Sequence, residues 1–563
     1  MSDFFSSKKF VRFTERTINK LLGNFADSLN DGPLFISAAD YDSRYFYKGT
    51  EKFRKTPAKN AYWSLGYAIA DLTPYDYAEK DYYLGGYLTP DNGFNNRVQK
   101  IIDKMQARII ALDDNSGSGT SFFATIDCIG TGNADIKLIR RRFADLMKYA
   151  HPDAKIASVN VFSTHAHSCV DTQGLWTDTL SKVLHNKKKN KKGKGTYLSG
   201  ADSEFMNALV SKVAEGLLRA YEDMVPGTMT LAQKDIGDTY FNNKNRKSAT
   251  SLVTNITRLV FTPDDKEQTP TVIATMGAHP DVAGLPTSDG HGTGHDLCGE
   301  YIYYMGETVN KAGANFMFFN GAICAIYMSC GATDDGVTLP HRYDKSIRFG
   351  RELGKIVLSL TKTEDEIKAD PVLYNEKEIE EEIKDSEANG CKYSLWCENW
   401  TPVKETAVKP LLNIRIKEVP LAVTNPLIKI VGKLNLVSYK VLREKDGTYT
   451  VVTEIGFMQI GKDLNIVLVP GEFCADLLTG GESLKAEGSF NETDFPYPPL
   501  TEIFNRDLVA FGLANDAIGY IVPDNDYVLG EFGNHYHELI GIGKNAGSTI
   551  IKAFMEMKDE LGV

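Results

Sequence analysis

The residues best suited to do chemistry in this chain are its histidines. There are ten, and seven of them fall in three short stretches: STHAHS (His165, His167), GAHPDVAGLPTSDGHGTGH (His279, His291, His295) and FGNHYHE (His535, His537). Neutral imidazole is the commonest protein ligand for borderline metals such as zinc. In an extended STHAHS, the two-residue spacing directs both rings to one face. His279 follows the apolar run TVIATM and precedes Pro280, which favours extended backbone at the histidine. HGTGH reads either as two further ligands in a glycine-rich loop or as a flexible turn, and HYHE either as a support behind a site or, the preferred reading, as a surface turn. A second apolar run, NIVLVP, ends in Gly471–Glu472. A carboxylate placed directly after a buried strand needs a partner, and a cation is one such partner. A zinc hydrolase uses three or four ligands of these types and leaves a position for a water whose pKa falls to about 7.

These side chains have to be delivered by the elements around them. Strand-like runs occur at 121–127, 157–163, 271–276, 316–319 and 465–470, and helix-like periodicity at 136–150, 203–224 and 299–313. Strands mixed with helices on this scale indicate a layered α/β fold, a mixed β-sheet core flanked by helices, rather than a barrel or a bundle. The first two histidine clusters then lie just past strand ends, where α/β folds build their sites. The expected organisation is an N-terminal amphipathic helical segment (1–32) and one large domain (33–563). That domain carries a basic insert near 185–195, read as a solvated loop in preference to a contact with anionic lipid, and an acidic helix–loop–helix near 363–390.

Composition narrows the partners. Lys and Arg total 63 against 74 Asp and Glu, a net charge of −11, which disfavours a nucleic-acid binder. No stretch approaches the roughly 18 uninterrupted apolar residues of a membrane span, and no secretory h-region opens the chain. Eight scattered cysteines without a CxxC pair are those of a reduced, cytoplasmic protein, although CKYSLWC (Cys391, Cys397) could close a small loop. Residues 4–25 interleave Phe4, Phe5, Phe10, Phe13, Ile18 and Leu21 with basic side chains. Such a segment could rest peripherally in a membrane interface. The simpler expectation is a helix packed on the domain by its apolar stripe.

Beyond these local readings, a series of short motifs between about residues 65 and 540 resembles the neutral/alkaline (non-lysosomal) ceramidase family. Its members are zinc-dependent amidases that cleave N-acylsphingosines to a fatty acid and sphingosine. LGYAIADLTPYD, YLGGYL and FFATIDCIG are similar to the family's early motifs, STHAHS to its Thr-His-Thr-His-Ser, and MGAHPDV to its second histidine motif. VPGEF is similar to its Pro-Gly-Glu-Phe, and GLANDAIGYIVPDNDY to its Gly-Leu-x-Asn…Tyr segment. The resemblance implies zinc held by His165, His279, Glu472 and Tyr520. It places His167 beside the metal, to serve the substrate or transition state, and Arg246 where the family has an Asn-Arg pair. Asp296 and Gly299 resemble an Asp-x-x-Gly element near the second histidine.

The chain also departs from the family. In NGAICAIYMSC, Cys324 stands where the ceramidases have the serine of Gly-Asp-Val-Ser, and Ala322 where they have the aspartate. STHAHS continues as CVDTQG instead of Gly-Pro-Gly-Gly, and a counterpart of the family's C-terminal immunoglobulin-like domain is not expected within the residues that follow Tyr520. The expected activity is hydrolysis of an N-acylated lipid amide by metal-activated water, with His167 and Tyr520 stabilising the oxyanion or protonating the leaving nitrogen. Cys324 is a nucleophile only as an exposed thiolate and otherwise a small buried apolar residue. Two other readings stand beside this one: a zinc amidase or esterase for a non-ceramide substrate, and a lapsed enzyme that binds lipid or a partner. Taken singly, each site residue also has a structural role open to it, such as Tyr520 capping a loop or Glu472 pairing with an arginine; their joint occurrence in family order favours a site.

Overall fold

The apolar runs are buried on both faces and sort their side chains with period two, as strands between two layers must. Along Thr271–Met276, Val272, Ala274 and Met276 pack to one side and Ile273 to the other. Along Asn315–Asn320, Phe316 and Phe318 oppose Met317 and Phe319 in the same way. The structure, a computed structural model, describes residues 8–563 apart from 87–95, 193–195, 199, 244–251, 282, 284–292, 329–341, 389–392, 394, 438–439 and 530–534.

Among the described residues two mixed sheets face each other. The larger has nine strands, running in order from Asn315–Asn320 through Thr271–Met276, Asn255–Pro263, Val225–Asp235, Trp63–Asp71, Gln106–Asp113 and Thr120–Ile126 to Ile156–Ser163, with Thr406–Ala407 paired at Val225–Asp235. The smaller has six, built around Leu412–Ala422, Tyr449–Ile460, Leu464–Leu468 and Val509–Phe511. Their facing sides share one core containing Phe123, Ile273, Phe319, Ile414, Ile466 and Phe511. Helices Asn133–Ala150 and Ser203–Glu222 cover one part of the larger sheet's outer face, and Glu300–Lys311 with Arg342–Ser359 another. Helix Ala546–Leu561 covers the smaller sheet. This is the layered α/β architecture expected from the sequence, with two stacked sheets at its centre.

The larger sheet coils until the strands at its two ends meet. The ring of Phe162, on Ile156–Ser163, lies 4.8 Å from that of Phe319, on Asn315–Asn320, and Phe319 stacks on Phe511 of the smaller sheet at 4.2 Å. Three parallel pairs are thereby gathered: Thr120–Ile126 with Ile156–Ser163, Thr271–Met276 with Asn315–Asn320, and Leu464–Leu468 with Val509–Phe511. The loops at their carboxyl ends carry the residues singled out above.

Polar groups inside the fold are held by specific partners. Arg140 forms a fully buried two-pronged pair with Glu454 (2.7 and 2.8 Å), tying helix Asn133–Ala150 to strand Tyr449–Ile460. Asp516 accepts the Asn133 backbone N–H at the first turn of that helix (3.0 Å). Burial pushes the Asp516 carboxyl up to about 7, with the negative Glu454 adding to the rise, against the lowering effect of its hydrogen bonds from Thr453, Asn133 and Ala517. A folded-state pKa above the unfolded value of 3.8 means that this group's contribution to stability is full below pH about 4 and is lost as pH rises through about 7. Melting temperatures measured from pH 4.5 to 8 are therefore expected to fall toward the alkaline end. Asp516→Asn, which keeps the acceptor without the charge, is expected to flatten the curve, and an unchanged slope would contradict this assignment.

Two expectations need correction or restriction. The basic stretch is not a loop as far as Lys192, where its residues continue helix Thr179–Lys192; 193–195 lie outside the described residues. Composition misled here because Asn186 and Asn190, one turn apart, turn inward and satisfy backbone carbonyls of neighbouring segments. Phe4 and Phe5, like Cys391, lie outside the described residues. Helix Lys8–Ser28 buries Val11 against Phe490 and Val528 and leaves Phe13 and Leu21 exposed. The acidic stretch forms helices Glu364–Lys368 and Glu376–Ala388. Among the described residues no helix is long and apolar enough to cross a membrane, and Cys128, Cys169, Cys298, Cys324, Cys397 and Cys474 are buried.

Candidate metal centre

Strand Ile156–Ser163 ends at the sheet edge, and the chain then turns through His165 in the left-handed region (φ 69°). The STHAHS segment is thus not extended, as its spacing predicts. The two imidazoles converge because of this turn, with ring centroids 4.8 Å apart. Such a backbone conformation is uncommon for a residue with a Cβ and persists only where surrounding contacts enforce it. One contact is close by: His165 Nδ1 lies 2.7 Å from the Ile129 carbonyl. A carbonyl accepts only, so Nδ1 carries a proton there and Nε2 is the nitrogen turned toward the site. His279, beyond Thr271–Met276, repeats the arrangement, with Nδ1 donating to the Ile326 carbonyl at 2.9 Å. Metal-binding histidines are oriented by such bonds.

Both Nε2 atoms point at Glu472, its Oε2 lying 3.3 Å from His165 and 2.9 Å from His279. Glu472 and Tyr520 are direct partners in a two-residue parallel bridge, and the Tyr520 hydroxyl lies 3.3 Å from His279 Nε2. Ligand nitrogens of His165, His167 and His279 all fall within 4.8 Å of one another. All five side chains are buried. Burial alone would raise the Glu472 carboxyl, but the His165 and His279 imidazoles outweigh it and hold the group well below the usual carboxylate range. Burial pushes His167 well below its ordinary value, and the neighbouring His165 and His279 lower it further. Tyr520 is pushed well above the usual phenol range by burial and by the Glu472 charge.

Several supporting residues escaped the sequence reading. Asn320, the last residue of strand Asn315–Asn320, donates from Nδ2 to the Thr164 carbonyl (2.8 Å) and the Ala278 carbonyl (3.2 Å). It therefore clamps the residues immediately before His165 and His279 together. Glu300 accepts the Ser168 hydroxyl (2.8 Å) and the Ala283 N–H (3.1 Å) behind the same loops. Tyr327 stacks on His279 at 4.6 Å and is hydrogen-bonded to Tyr536. HYHE is consequently not a surface turn: His535, His537 and Glu538 are buried, and the His537 ring lies 4.6 Å from Tyr520. The accumulation of aromatic and imidazole side chains in HYHE was the only signal for it in the sequence.

His165, His167, Glu472 and Tyr520 line a small cleft whose other walls are mostly apolar, including Ile129, Leu175, Trp176, Leu513, Ile518 and Ile540. The wall formed by CVDTQG is held by Asp171, whose carboxylate accepts the backbone N–H groups of Gln173, Gly174, Trp176 and Thr177. No family model matches the sequence, and no curated protein matches it. Solved structures do. The neutral ceramidase from Pseudomonas aeruginosa superposes with a TM-score of 0.55 at 14% identity, covering 89% of this chain and 75% of that one. A structure described as a ceramidase complexed with C2 gives 0.54 at 13% identity, covering 89% and 76%. The chain has the neutral ceramidase fold.

Within this ceramidase fold the remaining sequence candidates take the following places. Cys324 is buried, its backbone N–H donating to the Phe473 carbonyl at 3.2 Å, next to Glu472. Asp296 is held by Thr293, and the Gly299 N–H donates to Asp103, behind the centre. Arg246 and His291 lie outside the described residues.

Proposed function

We propose that the chain is a zinc-dependent amidohydrolase that cleaves the amide bond of an N-acylated lipid, in the manner of a ceramidase. The observation that carries this reading is the meeting of His165, His167, His279, Glu472 and Tyr520, four of which line an apolar cleft. The donor set fits zinc: two imidazoles presenting Nε2 with Nδ1 held by backbone carbonyls, a carboxylate kept anionic, and a phenol, all shielded from solvent. Zinc bound there would polarise an amide carbonyl and supply a water acidic enough to ionise near neutral pH. The chain's own residues do the rest. The apolar walls take the acyl chain and exclude bulk water. His167, neutral when the site is at rest, accepts a proton during attack and delivers it to the departing nitrogen, which must be protonated to leave. Tyr520 donates a hydrogen bond to the developing oxyanion.

Cys324 is read as a packing residue beside Glu472, because it is buried and its position serves the core of the smaller sheet. Ala322 and Cys324, at the positions of the ceramidase aspartate and serine, favour an N-acyl amine other than ceramide as an alternative substrate. The test is elemental analysis of the purified protein together with hydrolysis of a panel of N-acyl amines, ceramide among them. About one zinc per chain and hydrolysis of at least one long-chain amide are expected. Cys324→Ala is expected to retain zinc and turnover within about threefold, since it removes a small side chain only. A protein without zinc that cleaves no amide would be a binder and not an enzyme.

A further inference from the structure

Helix Thr179–Lys192 is turned inside out for a helix in water. Its inward face carries Thr179, Lys182, Asn186 and Asn190, all buried, while Leu180 and Leu184 stand outward at 65% and 64% exposure. The inward polar groups are satisfied: Lys182 Nζ donates to the Gly174 and Gly200 carbonyls, Asn186 to that of Leu434 and Asn190 to that of Asn30. The orientation is therefore anchored, and the leucines cannot be buried by rotating the helix. The outward face continues from Leu180 and Leu184 to the exposed Lys188 and Lys191, one helical face at steps of four, four and three residues. The helix holds six lysines and no acidic residue, in a chain of net charge −11.

The N-terminal helix extends this surface. Lys187 Nζ sits 5.3 Å from the ring of Phe25, and Leu21, one turn before Phe25, is 64% exposed beside the exposed Lys20. Leu175 and Trp176, which wall the cleft, lie a few residues before Thr179. Apolar anchors set among lysines on an outward helix face are the pattern of interfacial binding, and anionic headgroups complement the charge. A second copy of the chain is the poorer occupant, because a two-fold contact would set lysines against lysines.

We propose that the outward faces of Thr179–Lys192 and the end of Lys8–Ser28 form a docking surface for an anionic lipid bilayer, beside the wall of the apolar cleft. The leucines enter the acyl boundary and the lysines remain among the headgroups. The proposal goes beyond the hydrolase reading, and its test involves no turnover, so either can fail alone. The full chain is sedimented with phosphatidylcholine vesicles with and without phosphatidylserine, at low and high ionic strength. Binding is expected only with phosphatidylserine and is expected to weaken at high ionic strength. Lys188→Glu with Lys191→Glu, and separately Leu180→Ser with Leu184→Ser, should each weaken binding at least about tenfold while leaving the thermal melt unchanged. Leu184→Trp should acquire fluorescence quenched by brominated lipid on the same vesicles, a readout that does not depend on the paired variants folding. No binding to phosphatidylserine vesicles at low ionic strength, equal binding by both paired variants, or no quenching would overturn the proposal. So would a dimer in solution that Leu180→Ser with Leu184→Ser dissolves.

Discussion

Exchanging Glu472 for glutamine is expected to abolish stoichiometric zinc uptake and to lower hydrolysis of a long-chain N-acyl amide by at least about a thousandfold. Glutamine has nearly the same volume, so packing around the Glu472–Tyr520 bridge is retained, and the change acts through charge. The carboxylate lies between His165 Nε2 and His279 Nε2 and is kept anionic by them, so it is the one formal negative charge that a divalent ion meets among the five converging groups. Without it, two neutral imidazoles and a phenol must hold the ion alone, against a cost of removing it from water that neutral ligands offset poorly. Metal content and kcat, measured on the same preparation, check the prediction. Wild-type zinc content in Glu472→Gln would remove this residue from the ligand set.

The second large effect is expected far from any reacting atom. Asn320→Leu removes the donor that joins the Thr164 and Ala278 carbonyls; Ala278 keeps the Tyr301 hydroxyl (3.0 Å), whereas the buried Thr164 carbonyl loses this partner, at about 1–3 kcal/mol for an unsatisfied group. A loss of about 1–3 kcal/mol of stability is expected. Zinc affinity, measured by competition with a chelator at a temperature where the variant is fully folded, should fall about 10–100-fold, as it does when second-layer partners of metal ligands are removed. That second readout separates a positioning role from a merely structural one, because a well-folded variant with wild-type zinc affinity would mean that the histidine loops keep their places unaided. Asn320→Asp should be no better than leucine. It would present a second acceptor to two carbonyls in a buried site.

Much of this was legible locally. The strands at 271–276 and 157–163 could be read from short runs rich in valine, isoleucine, threonine or phenylalanine and free of charge, because burial on both faces leaves that composition as its trace. The helices at 136–150 and 203–224 could be read from apolar spacing in the same way. His165, His279 and Glu472 stood out because a titratable side chain directly after a buried strand has few purely structural uses. The reading failed wherever polarity is set by distant segments. Asn186 and Asn190 face inward because the Leu434 and Asn30 carbonyls need donors, and nothing in the run of lysines announces those acceptors. HYHE was misplaced for the same reason, since its neighbours Tyr520 and Tyr327 are remote in sequence.

The sequence by itself determined the period and burial of each strand and helix, and which side chains stand at the strand ends, because these follow from hydrophobic spacing within a few residues. Only the tertiary structure decided that those ends meet. The larger sheet had to coil until Phe162 touched Phe319, and the smaller sheet had to lie across it with Phe511, before two histidine loops and the Glu472–Tyr520 bridge shared one point. The left-handed turn at His165 and the Asn320 clamp belong to the same level. Each is held by contacts between segments far apart in the chain, whose energies no local pattern encodes.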